Sequence, residues 1–251
     1  MSQSDNANLP AHGELAAIVQ TILAEARRLG ASAAEAGVSV ESGLSVTARR
    51  GEVETVEHNC DRSLGVTVYF GQRKGAASSS DFSAAAVTET VGAACAIARH
   101  TAQDPCAGLA DPERLAKTVP DLDLYHPWPL SPEQAIALAL ECEGAALAVD
   151  PRISNSEGAT VSSHSGRRVY GNSHGFLGGY PSSRHSLSCA VIGEDGRGMQ
   201  RDYWYTVARD STRLEAPRNV GRRAGQRTVR RLNARRLATC ETPVIYAAEV
   251  A

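Results

Sequence analysis

LGVTVYF, residues 64–70, is the most strand-like stretch of the chain. It packs β-branched and aromatic residues into a run too short for a buried helix, so it anchors a β region. Downstream, Lys74–Ser80 reads as a further strand of small residues. Upstream, Arg50-Gly51 supplies a turn into Glu52–Asn59, whose apolar members are Val53 and Val56. Further back, Leu44–Arg49 and Glu35–Glu41 alternate in the two-residue period of strands, and Ser42-Gly43 between them predicts a tight hairpin. Helical spacing flanks the strands on both sides. Leu15, Ile18, Val19, Ile22, Leu23, Ala26 and Leu29 form one face of a segment from Glu14 to Leu29, with Gly30 at the expected C-terminal cap. Ala86, Val87, Thr90, Val91, Ala94, Ile97 and Ala98 form the stripe of a second helix over Ser83–Thr101, capped by Asp81 or Ser83. Helix, antiparallel strands, helix is an α+β plan, expected over residues 13–103 behind a disordered tail at 1–12.

The same plan returns further on. Residues 104–131 are rich in proline and aspartate and predict a surface linker with Trp128 as its anchor. Ser131 and Pro132 then open a helix running to about Val149, with Ile136, Leu140, Cys142 or Glu143, and Leu147 as a rough stripe. Alternating segments follow at Ser154–Ser163, Arg167–Asn172, Phe176–Tyr180, Ser186–Gly193 and Gln200–Ala208, punctuated by glycines. A last helix is expected over Asn219–Leu237. The expected architecture is therefore two consecutive α+β units, the second at 132–238. The apolar run Pro243–Ala251 predicts the first strand of a truncated C-terminal domain starting at 239.

Composition excludes several classes. Hydrophobic residues are 42% and charged residues 22% of the 251, a globular balance. The net charge of −2 gives no global field that would favour nucleic acid or an acidic membrane. Six scattered cysteines without a CxxC pair fit reduced thiols in a cytoplasm. No signal peptide is visible at the N-terminus, and no apolar stretch approaches the roughly 18 residues of a membrane span.

Motifs that carry chemistry are sparse. A zinc peptidase helix needs two histidines one turn apart and a carboxylate to activate water, and neither HExxH nor HExxxH occurs. His164, His174 and His185 are spaced as chance would space them, and surface or core roles outweigh a metal site. Glu57 and His58 are neighbours on a strand and point to opposite faces. His58 and Cys60 share a face, but a structural role is the stronger reading. Gly171-Asn172-Ser173-His174-Gly175 is a glycine-bounded polar turn that reads first as a hairpin and second as a loop offering backbone groups to a ligand. Arg222, Arg223, Arg227, Arg230, Arg231, Arg235 and Arg236 coat the last helix, leaving Val220, Ala224, Val229, Leu232 and Leu237 to pack. A solvated face or a subunit interface outweighs phosphate binding there.

Several ordered blocks resemble the PmbA/TldD family. They are RRGEVETVEHN at 49–59, GVTVYFGQRKG at 65–75, Ser79-Ser80-Asp81, Ser156-Glu157-Gly158-Ala159, Gly171-Asn172-Ser173 with Gly175-Phe176, Arg201-Asp202-Tyr203-Trp204-Tyr205, and Pro243-Val244-Ile245-Tyr246. The wording is closer to PmbA/TldE than to TldD. The resemblance implies a cytoplasmic two-subunit metallopeptidase in which a TldD-type partner carries the HExxxH zinc site, while the PmbA/TldE-type subunit lacks it. It further implies unfolded or precursor peptides as substrates. No catalytic or metal residue of the family maps onto these positions, so the chain is expected to bind no metal and to be inactive alone. Asn172, Ser173, Gly175 and Phe176 are the candidate substrate-binding residues. The competing reading is a binding module that contacts nucleic acid or a DNA-topology enzyme through the basic 218–236 helix.

Overall fold

A computed structural model describes residues 9–248. Its elements, in order, are α1 (His12–Arg28), β1 (Ala33–Arg49), β2 (Glu52–Phe70), β3 (Arg73–Ser79), α2 (Ala84–His100), α3 (Pro132–Leu147), β4 (Ile153–Asn172), β5 (Leu177–Glu194), β6 (Met199–Ala208) and α4 (Pro217–Arg231). The six strands form one antiparallel sheet in the order β3-β2-β1-β4-β5-β6. Both expected units are present as helix, strands, helix. Their strands meet where β1 pairs with β4 over Glu35–Ala48 and Ala159–Asn172, so the two halves share a single sheet.

Alternation along β1 shows how the helices are placed. Ala34, Ala36, Val38 and Val40 face α1 and α2. Leu44, Val46 and Ala48, of the same parity, face α3 and α4. All four helices therefore lie on one face of the sheet. Leu15, Val19 and Ile22 of α1 meet Val66 and Val68 of β2 and Val91 of α2 in the first core. Each such side chain, fully buried, contributes roughly 1.5–3 kcal/mol relative to exposure. In the second core the residues nearest the sheet are small: Ala135, Ala139, Cys142 and Ala146 of α3 against Val220 and Ala224 of α4. The buried stripe of α3 is thus an alanine stripe, one residue round the helix from the Ile136 and Leu140 line. Those larger side chains lean over its margin.

Four expected strand breaks are absent. β1 runs unbroken through Ser42-Gly43, and β2 runs from Glu52 straight through to Phe70. Gly43 serves close approach and not a turn: it is the register partner of His164, whose imidazole occupies the space a Cβ would take. Likewise β4 passes through Gly166, where a Cβ would stand 2.9 Å from the Val40 carbonyl oxygen, and β5 passes through Pro181–His185. The turn expected at Arg50-Gly51 is real, with φ of 56° and 77°, the left-handed pair that a two-residue hairpin requires. α4 stops at Arg231, earlier than its charge pattern predicts. Asn233 takes φ 60°, and Arg235 and Arg236 lie beyond the helix.

Ser83 caps α2, and Asp81 in turn accepts from the Ser83 backbone and hydroxyl. Ser131 and Gln134 close a capping box on α3. Between α2 and α3, Trp128 packs edge-on against His185 with ring centroids 5.4 Å apart, and Leu130 is buried, which ties the proline-rich segment to the sheet. Of the expected tail at 1–12, the first eight residues lie outside the described residues, and α1 already begins at His12. The strand expected from Pro243 is not formed over its described part. Val244, Ile245 and Tyr246 are exposed, with no neighbouring strand to hydrogen-bond, and residues 249–251 lie outside the described residues.

Candidate functional site

The four candidate residues fall together in the hairpin joining β4 to β5. Asn172 ends β4 and is buried. Its backbone donates to the Phe176 carbonyl at 2.9 Å, and its Oδ1 accepts from the His174 and Phe176 amides at 3.1 and 3.3 Å. Gly175 sits at φ 93°, which only glycine adopts without strain, and donates to the Asn172 carbonyl. Ser173 belongs as much to the sheet as to the turn. Its amide donates to the Ala34 carbonyl at 2.8 Å, and its Oγ accepts from the Ala34 amide at 3.0 Å. The hairpin is thereby locked to β1, with its polar groups largely used internally. The exception is Asn172 Nδ2, a buried donor that reaches no partner with hydrogen-bond geometry.

Beside this turn is a cluster that pattern reading missed. Glu35, the register partner of Asn172, accepts from the Tyr69 hydroxyl at 3.0 Å and from the Tyr170 hydroxyl at 2.8 Å. Phe176 leans on Tyr170 with ring centroids 6.0 Å apart. Burial raises the pKa of Tyr69 to about 12, helped by its hydrogen bond and proximity to Glu35. For Tyr170, burial again raises the pKa, the Asn172 side chain works against it, and Glu35 adds to it. The sign follows directly. A hydroxyl whose folded pKa exceeds its unfolded value near 10 contributes stability that is complete below that pH and lost as pH climbs from about 10 toward 12. We expect absorbance titration to show one tyrosine ionising near pH 12, and Glu35→Gln to bring that transition down. A Tyr69 that titrates with the exposed tyrosines would contradict this arrangement.

The histidines do not assemble into a metal site. His164 stands on the helix-free face, 3.5 Å from a Glu41 carboxylate oxygen. His185 points to the opposite face, fully buried. Its Nε2 lies 2.9 Å from the His126 carbonyl and so carries the hydrogen, leaving Nδ1 to accept from the Ser163 hydroxyl at 3.0 Å. His174 lies in the β4–β5 turn. Among the described residues no group of three or more His, Cys, Asp or Glu side chains is placed to hold a metal. The described donors thus form no set that fits zinc.

His58 and Cys60 are exposed on β2, on the face opposite Glu57, as strand alternation predicts. The whole of Glu52–Ser63 is exposed. β3 pairs with β2 only from Leu64 to Phe70, so this upper part of β2 has β1 on one side and an open hydrogen-bonding edge on the other. No described helix is long and apolar enough to cross a membrane.

The basic helix is built into the fold. Arg223 lies over the Trp204 ring at 3.6 Å, and Arg227 lies 5.3 Å from the same ring. Arg227 and Arg231 also approach the buried carboxylate of Asp202 at 3.4 and 3.6 Å. Within Arg201–Tyr205, Trp204 and Asp202 thus face α4. Tyr203 and Tyr205 stack on each other on the free face, and Arg201 pairs with Glu157 at 2.7 Å.

Comparison with known proteins is consistent throughout. Residues 125–232 match the PmbA/TldA metallopeptidase central domain, and residues 34–98 match domain 1 of the same metallopeptidases. The metalloprotease PmbA of Escherichia coli O157:H7 is 54% identical over 218 residues, covering 87% of this chain and 48% of that protein. A PmbA homologue from Haemophilus influenzae is 48% identical over 238 residues, covering 95% of this chain and 52% of its own length. The chain therefore spans about half the length of these relatives. Among solved structures, a modulator of DNA gyrase from Bacteroides thetaiotaomicron superposes with a TM-score of 0.81 at 24% identity, over 88% of this chain and 51% of that one. TldE from Thermococcus kodakarensis gives 0.67 at 16% identity, over 84% and 47%. At those identities the two likenesses speak for the fold.

Proposed function

Because the chain belongs to the PmbA/TldD metallopeptidase family, on its PmbA/TldE side, we propose that it works as the front part of a cytoplasmic, non-zinc subunit that pairs with a TldD-type subunit. Unfolded or precursor peptides are the substrates, the zinc resides on the partner, and this chain shapes the substrate chamber and the subunit interface. In this reading residues 13–103 and 132–238 act as its two α+β domains, joined by the 104–131 linker, and residues from 239 open a further domain.

The observation that supports peptide handling is the open edge of β2. Glu52–Ser63 presents unpaired backbone donors and acceptors along twelve exposed residues. An extended peptide adds to such an edge by main-chain hydrogen bonds, which suits substrates of varied sequence. The Asn172–Phe176 turn is the proposed second contact, through the exposed Ser173 and Gly175 and the half-buried Phe176 ring, with Asn172 holding the turn from beneath.

Reconstitution tests the assignment. A full-length version mixed with a TldD-type partner should cleave an unfolded peptide, and a chelator should abolish cleavage. Hydrogen exchange on the same mixture should show amides within 52–63 gaining protection when peptide is added. Equal cleavage by the partner alone would sink the subunit role. Unchanged exchange over 52–63 would remove the edge from it.

The alternative, contact with nucleic acid or a DNA-topology enzyme through the basic 218–236 segment, draws on the exposed arginines of α4. It predicts binding that weakens steeply with salt.

A further inference from the structure

Along α4 runs an open groove of about 780 Å³. Its cationic wall carries Arg222 and Arg230, both exposed, with Gln226 between the charges and Asn219 on the N-terminal side of Arg222, and Val149 and Val229 supply its apolar surface. The helix beneath is held firmly: the Arg223 guanidinium rests on Trp204, the Trp204 Nε1 donates to Glu215 at 3.2 Å, and Asp202 anchors Arg231. The helix that carries the charged wall is thus fixed before any ligand arrives, which lowers the ordering cost of binding.

Spacing and chemistry select the ligand. Arg222 and Arg230 are eight residues apart on one helix, a rise of about 12 Å. Carboxylates four residues apart on an extended strand lie about 13 Å apart on the same side, with the intervening second residue also on that side. Guanidinium forks match carboxylates bidentately, and an aliphatic side chain between them would meet Val149 and Val229. A nucleic acid fits less well. The Trp204 face, the ring on which a base would stack, is already occupied by Arg223. From this geometry we propose that the α4 groove binds an acidic, extended polypeptide segment of the form Glu-x-aliphatic-x-Glu, seating its carboxylates on Arg222 and Arg230. This site lies apart from the β2 edge, and its failure would leave the peptidase-subunit reading untouched.

The test uses the whole chain and a fluorescein-labelled peptide with a Glu-Ser-Leu-Ser-Glu core, followed by fluorescence anisotropy. The expected result is saturable binding that weakens as salt rises. The pair Arg222→Gln with Arg230→Gln should weaken it at least about 10-fold, and the pair Arg222→Lys with Arg230→Lys, which keeps charge and loses the fork, by about 3-fold. Replacing the peptide leucine by serine should also weaken it. Unfolding midpoints equal to the parent's would confirm that the variants fold, and the peptide-side substitution tests the site without altering the protein. The proposal is overturned by no binding at low salt, by equal affinity of the glutamine pair, by indifference to the leucine, or by a single-stranded oligonucleotide of equal charge binding as tightly.

Discussion

Replacing Gly221 by alanine should destabilise the protein by about 2–3 kcal/mol, against the helix-propensity gain of about 1 kcal/mol that Gly→Ala ordinarily brings inside a helix. Gly221 is buried on α4, and a Cβ there would run into the Cys142 carbonyl of α3 and stand 3.1 Å from the Ala146 nitrogen. One turn later the same constraint recurs at Gly225, whose Cβ would lie 2.7 Å from the Ala146 carbonyl oxygen and from Val149 Cγ2. Both obstacles at Gly221 are backbone atoms, which cannot rotate aside. The helices must separate, and the alanine stripe of α3 then loses contact with Val220 and Ala224. Gly221→Val, with two more carbons to place, should cost still more. The internal control is Gly92 in α2, where an added Cβ meets nothing within 4 Å. Gly92→Ala should therefore gain about 0.5–1 kcal/mol from backbone entropy alone. Urea unfolding of the two variants decides the matter, because the expected signs are opposite. A stabilised Gly221→Ala would mean that the α3–α4 contact is loose.

That close contact is also where sequence reading reached its limit. The helices and strands were legible because their apolar positions repeat at the helical period or alternate along strands. Leu15, Val19, Ile22 and Ala26 of the α1 stripe are buried as their spacing predicts, while Ile18, Leu23 and Leu29 lie at its margin and Ala16 joins it. What glycine does was not legible. Gly43 and Gly166 resemble turn residues in one dimension, yet each makes room for an atom of a neighbouring strand more than 100 positions away. The strands on either side of them therefore read as separate short hairpins and not as strands of 17 and 20 residues. The same reasoning applies to the candidate site. Asn172, Ser173, Gly175 and Phe176 were adjacent in sequence and visible as a turn, whereas Glu35, Tyr69 and Tyr170 converge only once β1, β2 and β4 lie side by side. No local pattern encodes such a cluster. The strand expected after Pro243 illustrates the converse, since β-propensity without a neighbouring strand produces no ladder.

Glu143→Leu should cost about 2–4 kcal/mol and loosen the β1–β2 hairpin, although leucine suits a buried helix position better than glutamate on hydrophobicity alone. The carboxylate is 1% exposed, inside the α3 stripe, and accepts from the Arg50 and Gly51 amides at 2.8 Å each. These two residues hold the left-handed φ values of the turn, and Arg50, bearing a side chain at φ 56°, is strained there by about 1 kcal/mol. The charge-assisted bonds offset that strain and point both amides inward. Leucine abolishes both acceptors and leaves two amides facing an apolar surface. Glutamine keeps one acceptor oxygen but turns a donor toward the second amide, so Glu143→Gln should fall between, at about 1–2 kcal/mol. The effect should also be local in kind. The Glu52–Ser63 segment of upper β2 is exposed throughout, so the hairpin tip depends on this anchor more than a core strand would. Hydrogen exchange should accordingly show Arg50, Gly51 and the amides beyond Glu52 losing protection at denaturant concentrations where Val66 and Val68 keep theirs. Arg50→Gly in the Glu143→Leu background should recover part of the loss by relieving the left-handed strain. If protection at the tip and global stability both stay within about 0.5 kcal/mol of the parent, Glu143 is not what holds the open edge in place.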